Sequence, residues 1–422
     1  MKRIIAALLS MCILGTAAPL IVNSGTNGSV TANADDSTRM CGDDLTWTIE
    51  GNTLIISGTG DMYDYEPYTS PFCENVYIHD IVIEEGVTNI GTGAFEYCEN
   101  LTSVSIPESV EAINDWAFQY CEKLTLIEIP DSVKSIGGYA FSGCKSLTQI
   151  TLPEGLASIE EGLFCGCESL TSVELPEGAK SIGEYAFMMC KSLTSLTIPD
   201  SVVSIGDCAF MLCMSLKSIT IPDKVEKISE SVFENCTSLS EVTIPESVTS
   251  IEDWAFASCY ALVTVTVPSS VSSIGFAAFQ NCKKMEKIVI LADDCEIYAN
   301  SETICNGDEG YAGTIEGHAG STAQTYAKMF GYTFVTVSEL PDPDVTYGDA
   351  NGNGTIEMAD AVLILQSQAS PDKYGVDGTE EDHITAQGMI NADCSGSGDG
   401  VTAKDALAVQ KYLLKMIILP EE

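Results

Sequence analysis

The sequence predicts an α/β repeat solenoid with a parallel β-sheet, followed by a small all-α module, and three observations carry that prediction. A 23-residue period runs through the middle of the 422-residue chain. Near the end, two short loops rich in oxygen-bearing side chains each lead into an apolar helical run. Between the two regions lies Ser338–Val345, with two prolines and three acids, which reads as an extended linker over 338–346.

At the start, Lys2 and Arg3 precede an apolar run from Ile4 to Leu14, and Ala32-Asn33-Ala34 offers a small-residue cleavage site. Residues 1–34 are therefore expected to be a signal peptide, with the mature chain beginning near Asp35 and secreted. Met11 is too large for the small residue that lipid attachment at Cys12 needs. No later stretch is apolar over the eighteen or so residues that span a bilayer, so no membrane insertion is expected. The formal charge is −42, from 61 acidic and 19 basic residues. Such a surface repels phosphate backbones, which argues against nucleic acid as a partner, and it suits oxygen-ligated cations such as calcium.

Nine copies of one pattern fill residues 81–291. Val87, with its counterparts every 23 residues to Val271, is followed three residues later by Ile90 through Ile274. Phe95 through Phe279 come next, usually after Ala, and Cys98 through Cys282 lie three residues beyond each Phe. A Leu (Met285 in the last copy) then opens a strand such as Leu193–Ile198, which a proline ends, from Pro107 to Pro268. A fixed period in this range means one coil per copy, each burying its apolar face only against its neighbours. At about 4.8 Å per stacked strand the nine coils make a rod of roughly 40 Å.

These copies, read as IGxxAFxxCxxLxxIxIP, resemble the BspA-type leucine-rich repeats of bacterial surface proteins. The resemblance extends to the flanks, 35–80 and 292–337. Leu45–Ile49, turning at Gly51-Asn52 into Thr53–Ile56, looks like an amino-terminal cap hairpin. Ser321–Val337, a short helix ending at Gly331 before a strand, looks like the carboxy-terminal cap.

Seventeen cysteines would suggest a disulfide scaffold, yet nine of them occupy one slot per coil. In-register stacking aims their Cβ vectors in parallel, a poor geometry for bridging, so they are expected to form a buried thiol ladder. Pairings of Cys41 with Cys73 and of Cys295 with Cys305 stay open on spacing alone.

The outward strand positions are small and polar: Ser103, Gln149, Ser172, Ser195 and Ser218 in one row, Thr151, Thr197, Thr220, Thr243 and Thr266 in the next. Thr suits a pleated face by propensity alone. No aromatic platform for sugar rings lies on this sheet. Trp116, Tyr139, Tyr185 and Trp254 sit beside the Ala-Phe pair instead, and Met188, Met189, Met211 and Leu212 cluster on two adjacent coils. If exposed, these would form an apolar partner surface, and otherwise they pack on the convex side. His79, His318 and His383 fall in three different segments, so none has a claim to be the base of a nucleophile pair. The ligand of the repeats is left unassigned, and no catalytic residue is singled out.

The final region, 347–422, carries the most specific chemistry. Asp349, Asn351, Asn353 and Asp360 stand at positions 1, 3, 5 and 12 of a loop, with Gly354 at 6 and Thr355 offering a backbone carbonyl at 7. That is calcium-loop spacing. A second loop runs from Asp393 to Asp405, one residue longer, with Ser395, Ser397 and Asp399 as further candidate ligands and Val401 in the apolar slot. Two calcium ions are expected. The helical runs Ala361–Gln366 and Ala406–Leu414 follow directly, with no helix entering the first loop.

Paired loop-helix units of this kind resemble type I dockerins over residues 347 to about 418. The resemblance implies binding to a cohesin module of a scaffoldin in the cell-surface cellulosome of plant-fibre-degrading bacteria. It places recognition on Met358, Ala359, Leu365 and Gln366 in the first unit and Ala403, Lys404, Gln410 and Lys411 in the second. The two sets differ in character, so one dominant orientation of binding is expected. The expectation is thus a secreted, non-catalytic cellulosome subunit displaying a repeat surface. A freestanding surface adhesin, and a hydrolase or peptidase hidden in a flanking segment, are the alternatives.

Overall fold

The computed structural model describes residues 39–307, 310–337 and 362–366. The chain divides into two compact units at Val335/Thr336.

The first unit is a parallel β-solenoid of leucine-rich repeat type. It opens with three strands, β1 (Met40–Gly42), β2 (Asp44–Glu50) and β3 (Thr53–Asp61). β2 and β3 pair antiparallel from Asp44↔Thr59 to Glu50↔Thr53. Gly51, at φ 65°, makes the tight turn between them, a conformation that costs a residue with a Cβ about 1 kcal/mol or more. β3 then pairs parallel with β4 (Asp80–Ile83) at Thr53↔Asp80. From there every step is one repeat, as in Asp80↔Ser103, Gln149↔Ser172 and Thr264↔Lys287. The last step, Lys287↔Thr314, is four residues longer.

Alternation along each strand sets what is buried. In Ser218–Thr220 the central Ile219 points in and its two neighbours face solvent. A second column of two-residue strands, such as Ser158–Ile159, Ser181–Ile182 and Ser204–Ile205, stacks in the same register. The third side of each coil holds the buried Phe. Rings from Phe72 to Phe279 stack face to face with centroids 5.3–6.0 Å apart. Trp47 closes one end edge-on to Phe72 at 5.5 Å. Ile304, bridged to Phe279 and fully buried, closes the other. The column therefore begins one coil before the nine regular copies.

One part of the expected class changes. An α/β repeat would place a helix on the third side, but the coils carry turns there. The residues two before and two after each Phe are left-handed, as at Trp116 and Tyr120 (φ 57° and 56°) or Ser231 and Asn235 (φ 53° and 60°). No right-handed helix continues through such residues. The geometry instead aims alternate N–H groups at the next coil: Trp116, Phe118 and Tyr120 donate to the carbonyls of Gly138, Ala140 and Ser142 at 3.0, 2.8 and 2.7 Å.

Among the described residues of this unit the helix is α1 (Thr322–Phe330). Ser321 caps its start by accepting from the Gln324 N–H, and Gly331 at φ 74° ends it. The Tyr326 hydroxyl donates to the Asn300 carbonyl at 2.7 Å, tying α1 to the last coils, and the strand Thr333–Thr336 follows. Of the four cysteines whose pairing the spacing left open, Cys41, Cys73 and Cys295 are free thiols, so neither the Cys41–Cys73 nor the Cys295–Cys305 bridge is formed.

In the second unit, residues 362–366 are helical. Leu363 and Ile364 are buried there, and Val362 and Leu365 are exposed.

Candidate functional site

The two calcium loops, with Asp349, Asn351, Asn353, Thr355, Asp360, Asp393, Ser395, Ser397, Asp399 and Asp405, lie outside the described residues. So do Met358, Ala359, Ala403, Lys404, Gln410 and Lys411 of the expected docking face. Leu365 and Gln366 are described. Leu365 is 41% exposed, an apolar side chain left in solvent beside the buried Leu363 and Ile364, and Gln366 is half-buried next to it.

On the repeat unit the strands present the expected polar rows, and Ser172, Ser195, Ser218, Thr197, Thr220 and Thr243 are all exposed. Several hydroxyls on the coil edges are already engaged with the coil before. Ser132 and Ser270 donate to the carbonyls of Val110 and Val248 at 2.8 and 2.7 Å. Exposed inter-coil ion pairs, Lys134–Glu111 at 2.7 Å and Lys191–Glu168 at 2.9 Å, neutralise lysines near the start and middle of the stack.

The side of the coils that carries the Phe column resolves what the sequence left open about its apolar residues. Met188 and Met211 are 6% and 8% exposed and pack with Cys165 beneath half-buried Tyr185, Met189, Cys208 and Leu212. They form a satellite core. Trp116 is 37% exposed, whereas Trp254 is half-buried and edge-on to Phe276 at 5.1 Å. Tyr97, absent from the sequence reading, stacks between Tyr68 and Tyr120 with centroids 4.8 and 4.7 Å away. The faces of the Tyr97 ring are thereby taken up by its two neighbours.

The thiols are chemically quiet. Burial pushes Cys144 and Cys213 up to about 12, and the other ladder thiols rise for the same reason. A neutral, desolvated thiol is a poor nucleophile. His318 Nδ1 lies 2.7 Å from Asp293 Oδ1 near the carboxy-terminal cap, apart from any ladder thiol. No group of three or more His, Cys, Asp or Glu able to hold a metal occurs among the described residues, and none of their helices is long and apolar enough to cross a membrane.

The family model for the BspA type leucine rich repeat region, in six copies, matches residues 68–193 and 157–286, more than half of the chain. The chain belongs to this family. Its match begins at residue 68, which takes in the early coil that carries Phe72. A leucine rich cell surface protein of Faecalibacterium prausnitzii is similar to this BspA-type chain, with 25% identity over 71% of this chain and 94% of that one and a TM-score of 0.43. A second similarity concerns a short segment. It is 48% identical over 76 residues to a xylanase/beta-glucanase of Ruminococcus flavefaciens, covering 18% of this chain and 10% of that enzyme. The chain thus spans about a tenth of the length of that relative. A chain of the structure described as a R. flavefaciens third ScaB cohesin in complex with a group 1 dockerin is 51% identical over 17% of this chain and 94% of that one, with a TM-score of 0.17.

Proposed function

We propose that this BspA-type protein is a secreted, non-catalytic subunit of a cohesin–dockerin assembly. Residues 347–422 act as a calcium-loaded dockerin, and the solenoid is the cargo displayed at the cell surface. The observation that carries the reading is the pair of calcium-loop patterns in the sequence, Asp349–Asp360 and Asp393–Asp405, each followed by an apolar run of helical pattern. Asp and Asn side chains at alternate positions, with a glycine for the sharp turn, give the six to eight hard oxygens that calcium takes. The match to the R. flavefaciens enzyme supports it. It covers 76 residues, the length of the span 347–422, and only 10% of the enzyme, as a portable module shared by otherwise different proteins would. The enzyme's activity does not transfer with such a segment.

On this reading Met358, Ala359, Leu365, Gln366, Ala403, Lys404, Gln410 and Lys411 contact the cohesin. The exposed Leu365 is the apolar anchor of the first helix. The test is capture of the full chain on immobilised R. flavefaciens cohesins with calcium and with EDTA. Binding to a cohesin that EDTA abolishes supports the proposal. Absence of binding to every cohesin in calcium overturns it and leaves a freestanding adhesin as the reading.

A further inference from the structure

We propose that Val362 is a further contact of the docking face, beside Leu365, and that the two form the apolar centre on which a cohesin seats. The inference rests on the docking reading above and adds to that face a residue that the loop and helix patterns of the sequence did not single out. Residues 362–366 are helical and open on four apolar side chains in succession, Val362, Leu363, Ile364 and Leu365. Neighbouring residues of a helix point about 100° apart, so four in a row clothe it almost all the way round. A helix of that kind is normally buried on every side.

The structure buries only two of the four. Leu363 and Ile364 are 5% and 0% exposed, whereas Val362 and Leu365 are 47% and 41% exposed. Leu363 and Ile364 therefore serve the core of the second unit, and Val362 and Leu365 leave nearly half of their surface in water. Three positions apart, the exposed two are neighbours on one face of the helix. Local stability does not call for valine there. Its branched Cβ lowers helix propensity below that of Lys, Glu or Gln, any of which would also be better solvated. Adjacent exposed apolar side chains of this kind mark a surface that a partner covers.

The occupant follows from what surrounds the pair. Gln366, one helical turn after Val362, and Met358, four residues before it in the sequence, are both expected cohesin contacts, as is Leu365 itself. A partner surface that reaches from Met358 to Gln366 has to pass over Val362. Its chemistry is apolar. Between Met358 and Gln366 the sequence carries a single charged residue, Asp360, which the docking reading assigns to calcium. An uncharged apolar patch on the cohesin fits this stretch, and a basic one has nothing there to pair with.

The test measures capture of the full chain on immobilised R. flavefaciens cohesins in calcium, for the parent, V362K, V362A and V203K. Val203 is 49% exposed on the solenoid, so V203K makes the same change of charge and size away from the docking face. V362K is expected to weaken capture by about tenfold or more, as a charge placed in the apolar centre of an interface does. V362A should weaken it in the same direction although it favours the helix, which separates a lost contact from a frayed helix. V203K should match the parent. Calcium titration of V362K should match it too, and V362A alone decides if it does not. Capture of V362K and V362A equal to the parent's would overturn the assignment and leave the docking reading standing. A parent that no cohesin captures would overturn both. A parent that sediments as a dimer, with V362K monomeric and captured as well as the parent, would give the face to a second copy of the chain and overturn the assignment.

Discussion

The Sγ–H of Cys121 donates to the carbonyl oxygen of Phe95, one coil earlier, at 3.3 Å. The same oxygen accepts the backbone N–H of Cys98 at 3.2 Å, so both of its lone pairs are used. The relationship recurs down the stack, with Cys167 on Phe141 at 3.1 Å and Cys282 on Phe256 at 3.3 Å. The slot needs a side chain small enough for the core, apolar enough to be buried and still able to donate once. A thiol meets all three needs, and its hydrogen bond locks each coil to the one before.

Removing that donor in mid-stack should cost stability. Cys144→Ala leaves the Phe118 carbonyl with one partner fewer and a small void, and is expected to lower stability by about 1–2 kcal/mol. Urea unfolding followed by circular dichroism measures it. A midpoint equal to the parent would show that the thiol only fills space.

The ladder also makes the fold sensitive to alkali. Burial raises the Cys144 and Cys213 thiols from the ordinary 9.0 to about 12. In the unfolded chain the same thiols lose their protons from about pH 9, so above that pH the folded state holds more protons. Stability is then fully present below pH 9 and falls as pH climbs towards 12, by about 1.4 kcal/mol per pH unit for each such thiol. Urea midpoints at pH 8, 9.5 and 10.5 should decline more steeply for the parent than for Cys144→Ala/Cys213→Ala. Parallel declines would count against the linkage.

The Phe column is the other half of the same core. Phe187→Ala opens a large cavity between Phe164 and Phe210, whose rings lie 5.6 and 5.4 Å from it, and is expected to cost about 3–5 kcal/mol. Phe72→Ala should cost about as much, because Phe72 is equally buried between Trp47 and Phe95. Thermal unfolding of the two variants compares them. A negligible effect at Phe72 would make the early coil a loose appendage instead of a member of the stack.

The period, the inward positions and the cysteine slot were legible because each leaves one apolar residue every 23 positions. The Phe72 coil was not, since the slot that holds Cys98 one coil later is filled there by Asn75, and Pro71 stands where Ala94 does. The left-handed pairs were hidden too. Gly143, Gly162 and Gly166 hint at them, but elsewhere Tyr, Trp, Met, Ser and Asn take the same backbone shape. Inter-coil hydrogen bonds impose that conformation, so local propensity does not reveal it.

Two glycines separate backbone strain from mere presence in a coil. Gly162 sits at φ 58° with the Tyr139 ring 2.1 Å from where its Cβ would stand, whereas Gly155 has nothing within 4 Å. Gly162→Ala should therefore destabilise by about 1–2 kcal/mol or more, and Gly155→Ala should be near neutral. Chemical denaturation of both variants checks the contrast. Equal effects would mean that the Tyr139 ring yields at no cost.

The last prediction concerns the carboxy-terminal region and follows from the chemistry of its donors. Asp349 and Asp360 open and close the regular loop, and Asp393 and Asp405 the longer one. Replacing an anionic ligand weakens a calcium site directly, because hard cations depend on charged oxygens. On the proposed reading, in which each loop holds one calcium, Asp349→Ala and Asp393→Ala are each expected to bind one ion by titration calorimetry and the parent two. The solenoid's own unfolding midpoint should not move, since its core of Phe, Ile and Cys contains no metal site among the described residues. The proposed docking sets differ in sequence, Met358-Ala359 in one unit against Ala403-Lys404 in the other. If the cohesin reads one of them preferentially, Met358→Ala and Lys404→Ala will differ in their effect on capture by about tenfold or more, as loss of a buried anchor differs from loss of a rim contact. Equal losses from the two variants would mean that either helix can lead, and that the chain docks in two orientations.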